Sequence, residues 1–444
     1  MYCIDQRKDD TVTLEEAMFQ KTGVLYRIFE FVKRNGVWFK VVLIISVLVR
    51  FYLAIFTEGT YDTEIWGAHI AGINKTGLIG YYNATYGNDD LYNHPPPISS
   101  FMTWIFYAGG LLHVPFKSIF RLFFTSLDFV TAFFILKILT NNPYKYLLTS
   151  FYLLSPVTFI LSAYHGNTDS SIGLFVLAAV YYLSRKKYML SGFILGLGSW
   201  VKWIVFLPAP AIFFVIPGIK HKARFVASTA CAFLLGHFLV LMKDPGVLIN
   251  NVAKYGGQMI QTTAGIPVWG NRIFYSDFTL FYSKLFNFPT PELFQRWLHW
   301  YLGHNSVLIF IVIVAYSWLQ RYRRDGIGIS RTVAEVFCIL FAITNFWSFQ
   351  YFAWAAPFWV FLGPALFLAL VFFTSGYIWS LYSFVCGSYL LLGRWDFIGH
   401  PYLPAPVLFF RNASILLFVT CGIYFFCSAL SKNINAFLFK RLRH

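Results

Sequence analysis

Hydrophobic and polar positions along this chain fall into long blocks rather than alternating. Apolar runs of about membrane-spanning length recur from VVLIISVLVRFYLAIF (41–56) to the run near 411–430. A block of roughly 20 apolar residues is what one helical crossing of a bilayer requires. The pattern predicts an all-α polytopic membrane protein with about 12 transmembrane helices. These lie at approximately 41–57, 121–139, 146–163, 170–184, 188–206, 207–219, 224–242, 305–320, 332–347, 355–372, 376–392 and 411–430. The run ISSFMTWIFYAGGLL (98–112) is short and holds a Gly pair. It is read as a helix lying on or dipping into the outer membrane surface. The 207–219 run is short and Pro-rich, so it is expected to be bent or incomplete. The first 35 residues are polar and mixed in charge, which predicts that the first apolar segment stays in the protein as a start-transfer helix.

Composition agrees with this reading. Residues are 58% hydrophobic, 21% aromatic and 12% charged, against about 25% charged in soluble domains. The net charge of +16 sits mostly in short loops, so it is read through the positive-inside rule and not as a nucleic-acid footprint. Placing Arg185–Lys187, Lys220–Arg224, Arg321–Arg324 and Lys440–Arg443 in the cytoplasm puts both termini there too. The polar segments 58–120 and 243–304 then lie outside; counting 98–112 as a span would reverse everything after it. The six Cys show no CxxC spacing, and five lie in apolar runs, so neither a disulfide framework nor a metal site is indicated. The chain divides into a cytoplasmic segment 1–40, a module 41–242 carrying most candidate chemistry, a loop or lid 243–304, and a C-terminal transmembrane module 305–444.

With this topology, polar residues without an obvious packing role gather on the outer side. Asp62 and Glu64 follow the first span; such carboxylates suit either a solvated loop or a general base. His94 precedes three prolines in YNHPPP (92–97), a stiff segment short of backbone donors. His165, Asn167 and Asp169 crowd into one short loop, SAYHGNTDSS (162–171). Lys202 is expected about five residues inside the 188–206 span, roughly 7–8 Å deep at 1.5 Å per residue. An ionisable residue there is a functional hypothesis by default, with snorkelling to the headgroups as the bland alternative. Arg121 opens the second span on the same face. Gln350 and Tyr351 stand in NFWSFQYFAWAAPFW (345–359), whose rings also suit an interfacial belt. Carboxylates for proton transfer, cations for a phosphate and rings for a sugar or lipid are what a lipid-phosphate leaving group needs.

The order of these motifs over roughly 40–360 resembles the GT-C superfamily of integral-membrane glycosyltransferases that use polyprenyl-phosphate sugars. An acidic motif (Tyr61-Asp62-Thr63-Glu64) follows the first span, then come YNHPPP, HGNTD and GLGSWVKWIVFLP. SFQYFAWAAPF is similar to the SxQYxxWxxP stretch of GPI-precursor mannosyltransferases and many bacterial relatives. The resemblance implies a GT-C-like fold and an inverting displacement. Asp62 would be the general base, and Lys202, with Arg121 or Arg272, would neutralise the leaving phosphate. Glu64, His94, His165, Asn167, Asp169, Trp269, Gln350 and Tyr351 would bind sugar or acceptor, and 243–304 would cover the site.

The implied donor is a polyprenyl-phosphate monosaccharide, a mannose-like hexose by preference. The implied acceptor is a hydroxyl of a lipid-linked glycan, a polysaccharide or a protein. A bacterial or archaeal plasma membrane is favoured over the ER membrane, with the site extracytoplasmic or lumenal. No cofactor is firmly implied. The motif is D-T-E and not D-x-D, so a Mg or Mn role for Glu64 stays open. Two other classes compete: a flippase of lipid-linked glycan, expected to carry polar residues through the midplane or inverted repeats, and a ligase or polymerase using a lipid-diphosphate donor, expected to carry more cations.

Overall fold

The computed structural model describes residues 36–88, 91–254, 292–344, 348–396 and 403–441. Helices carry the architecture, and no strand occurs among the described residues. In chain order, α1 is Gly36–Phe56, α2 Asp62–Thr76, α3 Leu78–Thr85, α4 Pro96–Leu112, α5 Phe116–Ile138, α6 Lys145–Leu154 and α7 Pro156–Phe159. A π-helical turn, Ile160–Tyr164, continues α7. Then come α8 Ser170–Ser184, α9 Tyr188–Gly198, α10 Ala209–Phe213, α11 Ile219–Lys243, α12 Glu292–Leu319, α13 Gly326–Ile343, α14 Phe352–Trp359, α15 Pro364–Val385 and α16 Ala405–Arg441.

Six of the described helices (α1, α5, α11, α13, α15 and α16) are long and apolar enough to cross a membrane. A seventh crossing results if the pair Lys145–Leu154 and Pro156–Tyr164, bent by 49°, counts as one. The protein is thus an integral membrane protein whose described residues are all-helical, as the block pattern predicts, but several predicted spans differ. The 188–206 helix stops at Gly198, and Ser199–Lys202 form a turn ending with Lys202 in extended backbone (φ −154°, ψ 142°). Small residues before this point and Pro208 after it leave little to propagate a helix. Of the predicted 207–219 span, only Ala209–Phe213 is α-helical before α11 starts at Ile219. The predicted break between 355–372 and 376–392 is absent. Gly363, at φ +97°, and Pro364 start α15, which runs through Gly376 without interruption. A glycine inside a packed helix costs only about 1 kcal/mol, too little to end it.

At the centre is α8, buried on nearly every side and packed against α5, α9, α13 and α14. A helix apolar all round belongs in an interior. Around it, α9 lies against α11 through Gly192 and Gly196, where an added Cβ would come within 2.3 Å of Phe225 O and 2.5 Å of Thr229 O. Such small residues let backbones approach where lipid offers no hydrophobic drive. Because α8 is central, the loop feeding its N-terminus, 165–169, is held between the first and second halves of the chain.

One buried ion pair braces this region. Arg50 on α1 and Asp128 on α5, each 1% exposed, meet at 3.2 Å. Arg50 also donates to Leu153 O at 2.8 Å and Thr158 Oγ1 at 3.1 Å, while Ser162 donates to Asp128 Oδ2 at 2.7 Å. Charges inside a membrane protein must be paired and hydrogen-bonded. Here the pair ties α1 and α5 to the π-turn that leads into His165.

Candidate active site

Asp62 stands in the first turn of α2, where the helix dipole favours a carboxylate. Its Oδ2 faces His165 Nε2 at 2.8 Å and receives Asn167 Nδ2 at 3.3 Å. Oδ1 has no partner among the described residues, and about a third of the side chain (35%) is exposed. Burial works to raise the Asp62 carboxyl, but its neighbours His165, Lys202 and Asn167 outweigh it and hold its pKa below the ordinary value. Asn167 also donates to Gln350 Oε1 at 3.0 Å. A loop between α7 and α8 and the short turn Phe349–Tyr351 are thereby tied to one carboxylate.

Lys202 reaches this group from the extended break after α9. Its Nζ lies 2.5 Å from Asp169 Oδ1, and Trp354 Nε1 donates to the same oxygen at 2.9 Å. Asp169 Oδ2 is buried without a hydrogen-bond partner among the described residues. The break is fixed by Ile98 N donating to Trp200 O at 3.1 Å, which anchors it to α4. The broken helix, absent from the sequence reading, gives Lys202 this reach; inside a regular span its side chain would be set by helical register.

The other expected residues divide clearly. Tyr351 stacks on Trp354 with centroids 3.9 Å apart, beside Asp169. His94 packs 4.1 Å from the Trp66 ring, its carbonyl accepts from Tyr82 OH, and its Nδ1 is buried and unpartnered among the described residues. Burial first, then the Lys202 and His69 charges, hold the His94 pKa well below 6.5. Glu64 is exposed and joins none of these contacts. Arg272 and Trp269 lie outside the described residues, as does most of the expected lid.

Arg121 is not brought to the Asp62–Lys202 group as a free cation. Fully buried, it donates from Nη2 to Thr57 O at 3.0 Å, from Nη1 to Leu53 O and Thr57 Oγ1 at 3.3 Å each, and from Nε to Lys117 O at 3.1 Å. It caps carbonyls at the end of α1, which a helix terminus leaves without partners. Its stem also packs against the loop before α8: a Cβ on Gly166 (φ +70°) would sit 2.7 Å from Arg121 Cγ. With Thr60 Oγ1 donating to His165 O at 3.1 Å, Arg121 locks the Asp62 and His165 loops together.

Two residues at the site were not singled out by the sequence: Tyr382 on α15, whose OH lies 2.6 Å from His165 Nδ1, and Trp395, 6.4 Å from His165 between centroids; Trp354 stood in the sequence only as the Trp of the SxQYxxWxxP-like stretch. Arg50 and Asp128 were not singled out by the sequence; the signal that could have found them is a charge within an apolar run. Among the described residues no group of three or more His, Cys, Asp or Glu is arranged to hold a metal ion. The donor set around Asp62 does not fit a divalent cation: its one histidine is a hydrogen-bond partner, and Glu64 is exposed and joins none of these contacts.

No family model matches the chain. GPI mannosyltransferase 1 of Kluyveromyces lactis is 24% identical over 168 residues, 36% of this chain. The match spans 40% of that protein's length. This distant likeness to a mannosyltransferase supports the resemblance to GT-C glycosyltransferases carried by the order of motifs along the chain.

Proposed function

We propose that this protein is an inverting membrane glycosyltransferase that moves one sugar, a mannose-like hexose, from a polyprenyl-phosphate donor to an acceptor hydroxyl. The observation that carries the reading is the state of Asp62. One oxygen takes both hydrogen bonds, the other has no partner among the described residues, and about a third (35%) of the side chain is exposed.

In the proposed reaction the acceptor hydroxyl gives its proton to Asp62 Oδ1. Its oxygen forms a bond to the anomeric carbon from the face opposite the phosphate. The bond from that carbon to the phosphate oxygen breaks, and polyprenyl phosphate leaves with the electron pair. Lys202 meets the charge that develops on the phosphate, the effect that usually dominates such catalysis. Three N–H donors allow the ammonium to keep Asp169 and still reach a phosphate oxygen. Asn167, Gln350, His94 and the Tyr351–Trp354 stack face sugar hydroxyls and ring. A depressed pKa makes Asp62 a weak base in the free enzyme; an incoming phosphate anion near Lys202 weakens that stabilisation and makes the base stronger as the donor binds.

In this reading the site opens to the extracytoplasmic or lumenal face, the termini are cytoplasmic, and the acceptor is a glycan lipid, polysaccharide or protein. At 17 residues, α4 is roughly 25 Å long, shorter than the ~30 Å hydrocarbon core, which suits a helix dipping into the surface. The test supplies the purified protein with radiolabelled dolichyl-phosphate mannose and a membrane glycolipid extract. Label should move to the extract, and soluble nucleotide sugars should not replace the donor. Transfer from nucleotide sugar alone would overturn the reading.

A further inference from the structure

The Asp62–His165 contact continues one residue deeper, to a side chain from the far end of the chain. Tyr382 is fully buried. Its ring is boxed by Trp395 at 4.9 Å, Phe349 at 5.5 Å and Tyr164 at 5.8 Å between centroids. Inside that box its hydroxyl has one hydrogen-bond partner among the described residues, His165 Nδ1 at 2.6 Å.

Counting protons decides the arrangement. Two hydrogen bonds run in series: Tyr382 OH to Nδ1, and Nε2 to Asp62 Oδ2. The carboxylate only accepts, so Nε2 must carry a hydrogen. The phenol hydrogen has no other acceptor among the described residues, so Nδ1 must be a lone pair. The opposite tautomer would set the Nε2 lone pair against the carboxylate and strand the phenol hydrogen. A doubly protonated ring strands that hydrogen too, and stranding a buried donor is costly.

From this geometry we propose that Tyr382 is a positioning residue for the reaction: through the His165 tautomer it pins Asp62 Oδ2 and leaves Oδ1 as the oxygen that takes the acceptor proton. The inference rests on the function proposed above and adds that the C-terminal module completes the site. The Asp62 carboxylate would otherwise turn about its terminal torsion, a broad and soft rotation. Two donors on one oxygen, one of them held from behind, remove that freedom before the substrate arrives.

Two measurements test it. The first needs no activity: ¹⁵N-histidine spectra of the protein in lipid nanodiscs, with His165 assigned by its loss in H165A. Wild type should show Nδ1 unprotonated and hydrogen-bonded, and Y382F should move Nδ1 to the position of a lone pair without a donor. A wild-type ring protonated on Nδ1, or an Nδ1 signal unmoved in Y382F, overturns the proposal. The second is kinetic, with dolichyl-phosphate mannose as donor. Y382F should lower kcat about tenfold, the worth of one hydrogen bond, and leave both KM values unchanged. In an H165A background the same substitution should cost nothing further, whereas a merely structural tyrosine would cost the same in both. If wild type transfers no sugar from this donor, the proposed function falls, and the nitrogen signal alone decides the role of Tyr382.

Discussion

Replacing Asp62 with asparagine changes one atom and should separate fold from chemistry. Oδ2 receives His165 Nε2 and Asn167 Nδ2, both donors. An amide nitrogen cannot face two donors, so the substituted side chain must turn its carbonyl oxygen toward them. Its NH₂ then occupies the Oδ1 position, where the acceptor hydroxyl would be deprotonated. The hydrogen bonds survive, so stability should change by only about 1 kcal/mol. The base is lost, and general-base catalysis contributes about 10²–10⁴-fold, equivalent to ~3–5 kcal/mol of barrier. The assay is initial-rate transfer from dolichyl-phosphate mannose, paired with thermal unfolding of wild type and variant. The pH dependence follows from the sign of the shift. A carboxyl whose folded pKa is depressed contributes stability that is present above the unfolded value, about 3.9, and is lost as pH falls through the folded value. The acid limb of kcat/KM due to Asp62 should therefore lie below about pH 4, and the corresponding stability loss should vanish in D62N. Retained activity in a folded D62N protein would refute the base assignment, and an acid limb near pH 6 would assign that limb to another group.

Further expectations follow from the charged pairs and one loop. Lys202→Ala strands Asp169, 1% exposed; removing one partner of a buried pair costs about 3–5 kcal/mol, an upper range here because Lys202 is partly exposed. Thermal unfolding should show that loss and its partial recovery in K202A/D169N, while both variants remain poor in donor use. Arg50→Met should destabilise by a similar ~3–5 kcal/mol by leaving Asp128 unpaired, and R50M/D128L should regain most of it; equal loss in single and double variants would show that the pair's hydrogen bonds, not its charges, matter. Gly166→Ala places a Cβ 2.7 Å from Arg121 Cγ and 2.8 Å from Thr63 Cγ2 at φ +70°. It should cost at least about 1–2 kcal/mol and lower transfer together with stability; unaffected transfer would uncouple this loop from Asp62.

Much of this protein is written locally. The bilayer admits few solutions for an apolar block, so helix after helix was legible from composition, as were the candidates Asp62, His165, Asn167, Asp169, Lys202 and Gln350, polar residues with no local reason to be polar. Local pattern could not say which of them meet. Arg121 looks like any cation at a helix start, yet its partners are the carbonyls at the end of α1, which fall within reach only after packing. Tyr382 and Trp354 look like core or belt rings, because an aromatic residue in an apolar run carries no mark of its hydrogen-bond partner. Arg50 and Asp128 lie 78 residues apart, so neither announces the other. The continuity of α15 through Gly376 was settled by neighbouring helices whose contacts outweigh a propensity of about 1 kcal/mol, and the break that frees Lys202, weak in helix formers already, is held in place by the bond from Ile98 N on α4 to Trp200 O. The sequence alone therefore determined the class of fold and the inventory of reactive side chains, since both depend on what water or lipid will tolerate at each position. Only the tertiary structure decided which oxygen of Asp62 is free, which cation is spent on a helix end and which tyrosine stands behind the histidine, since those are distances between residues that the chain keeps far apart.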